Sequence, residues 1–220
     1  WADLYKQYTS GIAPNWVNTT TIDNLNPIIH PTFPDCDNIA FSDQHRADLF
    51  LQDWEAMEQK DSLPNLMVLS LPNDHSAGTS PDFPTPNAMV ADNDLALGRT
   101  LHFLSRTPYW KNMLVIVTED DPQGGVDHID AHRSILLMAG PYVKKNYVSQ
   151  THANFGSILK VIYNVLAVPY VNHYDITASL LSDFFTTKPC SRLGNATAPA
   201  TKPAFSFAAT LAATALPVWV

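Results

Sequence analysis

Two apolar runs, residues 66–71 (Leu-Met-Val-Leu-Ser-Leu) and 113–117 (Met-Leu-Val-Ile-Val), each break off into acids and histidine, and a helix-length segment separates them. This order constrains the fold more than any other feature of the chain. Residues 91–105 carry Leu95, Leu97, Leu101 and Leu104 at roughly helical spacing behind Asp92, a good N-cap. Strand, helix, strand predicts a parallel pair. A right-handed crossover brings both carboxyl ends to one sheet edge, where open α/β sheets bind ligands. His75 and Asp120 would then face one another across one cleft.

The rest of the chain continues the alternation. A third apolar run, 134–139, ends in Gly140-Pro141. Helical patterns follow over 155–166 and behind Asp175, where Ile176, Leu180, Leu181 and Phe184 are apolar. Ahead of the first run, Ser42 caps an amphipathic segment, 43–59, with Ala47, Leu49, Phe50, Trp54 and Met57. Alternating strands and helices predict an α/β fold.

The acids are the chemical signal. Residues 119–133 read Glu-Asp-Asp-Pro-Gln-Gly-Gly-Val-Asp-His-Ile-Asp-Ala-His-Arg, and oxygen and nitrogen donors this dense after an apolar strand suit a divalent cation. A solvated acidic loop is the competing reading, but it has no use for two histidines and a Gly-Gly turn. Carboxylates fit calcium, magnesium or manganese, whereas histidine participation favours zinc, manganese or iron.

With 220 residues, 45% of them hydrophobic, the chain can bury a core and is most economically one folded domain. A net charge of -8 without any basic run argues against duplex nucleic acid or anionic lipid as partner. It also ties phosphate chemistry to a cation, since an acidic site holds an anion only through one. Residues 1–40 read as an irregular lead-in and 41–187 as the core. Residues 188–220 read as a Pro/Ala/Thr-rich linker and an apolar tail, marginal for a span of ~20 residues and read as a docking segment before an anchor. The start at Trp1, without methionine or signal peptide, reads as a processed product or fragment. Cys36 and Cys190 are far enough apart to close a disulfide in an exported protein or to remain separate thiols, and Asn18 and Asn195 lie in sequons. Zinc ribbons, phosphate loops and the Gly-x-Ser-x-Gly elbow have no counterpart here.

The runs LPNDHSAGTSPDFPTPNAMVADNDLALGR, SRTPYWKNMLVIVTEDDPQGGVDHIDAHRS and AGPYVKK resemble, in unbroken order, the bacterial phosphoesterase family of phosphatidylcholine-type phospholipases C and acid phosphatases. Members fused to β-propeller repeats are the most similar. The resemblance implies a three-layer sandwich of the alkaline phosphatase superfamily with a central, mostly parallel sheet, here incomplete at its N-terminus. It implies a hydrolase of phosphate mono- or diesters, periplasmic or extracellular, acting through a phospho-enzyme. On this basis Asp120 and Asp121 match the metal-binding acidic pair. His75 matches the histidine that contacts the phosphoryl group or helps hold a second ion. Asp74, Asp127, His128, His132 and Arg133 match supporting positions. The family's Glu-Asn pair and its Ser or Thr nucleophile have no match in the sequence. The resemblance therefore covers the carboxyl-terminal portion of such a domain, the partner being an upstream β-propeller or domain half. The alternative is a non-catalytic metal-binding or assembly module.

Overall fold

The computed structural model describes residues 18–35, 38–122 and 133–190. The chain divides into two compact units, one ending at Phe103 and the next beginning at Leu104.

In the first unit two helices dominate. Helix α1, Asp43–Gln59, starts where the sequence predicts, with the Ser42 side chain accepting from the His45 N–H. Helix α2, Pro86–Leu104, begins earlier than its apolar pattern suggested. Pro86 stands at its first position and the Thr85 hydroxyl accepts from Ala88 N–H at 3.3 Å, a cap-and-proline start. Asp92 thus lies inside the helix, and its carboxylate serves a tertiary contact instead. Phe41, Ala47, Trp54, Met89, Ala96 and Leu101 are buried in this unit. The Trp54 ring meets Phe103 edge-on at 6.3 Å.

The second unit contains the sheet. Strand β1, Val115–Thr118, pairs antiparallel with β2, Leu136–Ala139, in the register Val115 to Ala139 and Thr118 to Leu136. Helix α3, Phe155–Leu166, is closed at its start by a reciprocal capping box between Asn154 and Ser157. It ends on Ala167 in the left-handed region, φ 54. The short helix α4, His173–Thr177, has its own box, with Asn172 as cap and Asp175 three residues on. Lys160 on α3 donates to the Ile176 and Ala178 carbonyls, both at 2.8 Å, and so satisfies the carboxyl end of α4. Leu136, Ala153, Ile158, Val161, Leu181 and Phe184 form the core, with Ile116, Met138 and Phe185 packed against it.

The expected three-layer sandwich around a mostly parallel sheet is not what forms. Among the described residues the only sheet has two strands, and they are antiparallel. The cause is local. A parallel pair needs a crossover, usually a helix, whereas β2 runs back along β1 in the opposite direction. The apolar run 66–71 forms neither helix nor strand. Pro64 and Pro72 bracket it, and Val68 is 91% exposed. The shared parallel edge expected to gather His75 and Asp120 is therefore absent among the described residues.

Candidate functional site

Asp120 and Asp121 follow the end of β1, at the neck where it adjoins the start of β2. That neck is tied twice. The Thr118 hydroxyl donates to the Ile135 carbonyl at 2.9 Å, and the Ser134 hydroxyl donates to the Glu119 carbonyl at 2.8 Å. The Thr118 hydroxyl thus ties the end of β1 to the residue before β2. Beyond the neck both aspartates are exposed, and the Asp121 N–H donates to Asp120 Oδ1 at 2.9 Å. That bond aligns one carboxylate and leaves the other to solvent. No Lys, Arg or His among the described residues forms an ion pair with either. Arg133 immediately precedes Ser134, which makes the second tie, and is partly buried. Asp127, His128 and His132 lie outside the described residues.

Two adjacent carboxylates match a hard cation in kind but not in number, since magnesium and calcium take about six or more oxygens. Among the described residues no three His, Cys, Asp or Glu side chains converge on one point. The described residues do not by themselves make an ion site.

His75 closes a single 3-10 turn, Asn73–His75, in the first unit. Ser76 follows at φ 57, a left-handed residue that turns the chain sharply away. The ring is exposed, with Nδ1 3.1 Å from the Ser76 carbonyl. That carbonyl favours the proton on Nδ1, which makes Nε2 the basic nitrogen. Asp74, its sequence neighbour, accepts from Asn93 Nδ2 at 3.4 Å. Asp74 and His75 belong to the first unit, and Asp120, Asp121 and Arg133 to the second.

What the sequence did not reveal is the buried polar network beneath His75. Asp43 and Arg46 are wholly buried on α1 and paired at 3.3 Å. Arg46 also donates to the carbonyls of Phe41 (2.8 Å), Asp35 (2.9 Å) and Asn38 (2.8 Å), fixing the entry to α1. Asp43 Oδ2 accepts from the Asn73 N–H at 3.0 Å and from Asn93 Nδ2 at 3.1 Å. Burial pushes the Asp43 carboxyl up to about 6, against the pull of the Asn73 bond and of Arg46. His45, stacked on Phe41, is held below its ordinary imidazole value by burial. The only signal in the sequence was the placing of Asp43 and Asp92 near helix starts, which reads equally as ordinary capping. His30 was also missed. Its Nε2 lies 2.9 Å from Asp53 Oδ2, a long-range pair with no sequence signature.

No family model, curated protein or solved structure matches the chain.

Proposed function

We propose that this chain serves phosphate-ester hydrolysis with a divalent cation, Asp120 and Asp121 giving carboxylate donors and His75 meeting the phosphoryl group. The observation that carries the reading is the solvent-facing Asp120-Asp121 pair, which has no cationic partner among the described residues and is held at a tied neck. Two adjacent carboxylates can share one hard cation, which neutralises both. The motif order in the sequence, Asp74-His75 and then Asp120-Asp121 with Arg133, supports the same chemistry. The resemblance to secreted phosphoesterases favours action outside the cytoplasm.

The chain's own residues contribute charge and orientation. The Asp121 N–H fixes the Asp120 carboxylate. The Ser76 carbonyl fixes the His75 ring. Asp74 sits between His75 and the buried Asn73 and ties the turn to α2 through Asn93. Electrostatic stabilisation of the equatorial oxygens is where phosphoryl transfer obtains most of its acceleration; a cation on the two carboxylates would supply it, and His75 would donate to those oxygens from Nε2 only when both ring nitrogens carry protons.

The test is hydrolysis of a chromogenic phosphate monoester and diester by the chain loaded with manganese, zinc or calcium, beside an Asp120→Asn Asp121→Asn variant. Metal-dependent turnover lost in the variant supports phosphate-ester hydrolysis and means that the chain itself holds a nucleophile, although none in its sequence matches the family's. Metal binding by calorimetry without turnover favours the non-catalytic module, which the two-carboxylate donor set also suits. Neither binding nor turnover refutes both.

A further inference from the structure

Asn73 is the buried foot of the turn that carries His75, and two acids grip it. Its backbone N–H donates to Asp43 Oδ2 at 3.0 Å and its side-chain amide donates to Asp92 Oδ2 at 2.7 Å. The same Asp92 oxygen accepts the Asp43 N–H at 2.6 Å, so the starts of α1 and the middle of α2 close on one residue. Asn93 completes the clasp, donating to the Leu71 carbonyl at 2.5 Å and to Asp43 Oδ2 at 3.1 Å. Asn73 is 0% exposed, while His75, two residues on, faces solvent.

We infer that Asp43 is a positioning residue for the His75 turn, and that the proton it exchanges sets how firmly the turn is held. The inference rests on the reading that His75 meets the phosphoryl group, and it adds the regulation of that site. The donors around Asp43 are the Asn73 N–H, the Asn93 amide and the Arg46 guanidinium, all pointing at its oxygens. A proton on either oxygen faces a donor and weakens at least one of these bonds. Two opposite effects of acid follow. Burial favours the neutral acid, so the first unit as a whole gains from protonation. The Asn73 bond favours the carboxylate, so by linkage that one bond loosens. Acid therefore frees the His75 turn without unfolding the unit that bears it.

The charged and titratable groups around Asp43 are Arg46 and His45 on α1, Asp92 on α2, Asp74 on the turn and Asp35 ahead of α1. Arg46 stays charged throughout and holds the carboxylate form. His45 is the competing titration, its imidazole lowered by burial.

The experiment is hydrogen exchange of the Asn73 and His75 backbone amides in the intact chain between pH 7.5 and 5, corrected for intrinsic rates. A charge-assisted bond is about twice as strong as a neutral one, so protection at Asn73 should fall about fivefold as pH drops through the Asp43 midpoint. The response should vanish in Asp43→Asn and persist in His45→Gln. Flat protection in the wild type, an unchanged response in Asp43→Asn, or a step at Asn73 that His75 does not share overturns the inference. Should Asp43→Asn fail to fold, carbon-13 titration of the Asp43 carboxyl in the wild type decides. A midpoint shared with the Asn73 amide supports the inference and a separate one overturns it. The readout needs no turnover, so failure of the phosphoesterase reading shows separately, as absent hydrolysis beside an intact exchange response.

Discussion

Replacing Arg46 with leucine tests the energetics of the first unit at its most exposed assumption. The side chain is wholly buried, and its loss strands the Asp43 carboxylate together with the carbonyls of Phe41, Asp35 and Asn38. Removing one partner of a buried ion pair costs about 3–5 kcal/mol, and the leucine recovers a little through its own burial. We expect a loss of about 4 kcal/mol at pH 7.5. The pH dependence is the sharper part. Asp43 titrates at about 6 in the folded unit against 3.8 ordinarily, so the folded state binds the extra proton between those values. Stability from this group is therefore greatest below pH 3.8 and is lost as pH rises through 6, by about 3 kcal/mol in all. Without Arg46 the folded value climbs further, so the leucine variant loses least near pH 5 and most above pH 7. Urea denaturation at both pH values, with exchange of buried α1 amides to isolate the first unit, reads the effect. A loss under about 1 kcal/mol, or one equal at pH 5 and 7.5, refutes the claim that Arg46 compensates a buried charge.

Four further outcomes follow from particular sites. Leu181→Ala, at a wholly buried core position, should cost about 2–5 kcal/mol in chemical denaturation, the range for large-to-small core changes. Ala167→Gly should raise the stability of the second unit by about 1 kcal/mol, because φ 54 strains alanine and not glycine. Asp120→Asn Asp121→Asn should leave the melting transition within about 0.5 kcal/mol of wild type, since both side chains are exposed, while abolishing any cation binding. Asp175 responds to acid oppositely to Asp43. Burial raises its carboxyl, but N–H bonds from Val171, Asn172 and Ile176 outweigh that and hold it below 3.8. Its stabilisation is thus full above pH 3.8 and lost as pH falls through the lowered value, and α4 amides should lose protection there first.

Helices were legible where local rules decide them. The Ser42 cap and the apolar pattern give α1 its bounds, and the pattern over 155–166 coincides with α3. The segment behind Asp175 was misplaced because Asp175 works as the third helical residue of a box capped by Asn172. The strands failed for a reason of another kind. An apolar run of five or six residues specifies extended backbone but not its partner, and residues 66–71 and 113–117 read alike although only the second pairs. The acidic pair was legible because exposed carboxylates after a strand need only sequence order. The Asp43, Asn73 and Asp92 clasp was not, because its bonds join residues 19 to 49 positions apart.

The run at 66–71 carries a hazard. Val68 at 91% and Leu66 at 52% exposure place apolar side chains in solvent on a stretch that pairs with no strand among the described residues. This is the composition from which cross-β stacking starts: short, uncharged and rich in branched residues. Pro64 and Pro72 lack amide hydrogens and stand as gatekeepers at its two ends, limiting how far an added strand can zip. Replacing either should shorten the lag before fibrils appear on gentle heating, long before the helices melt.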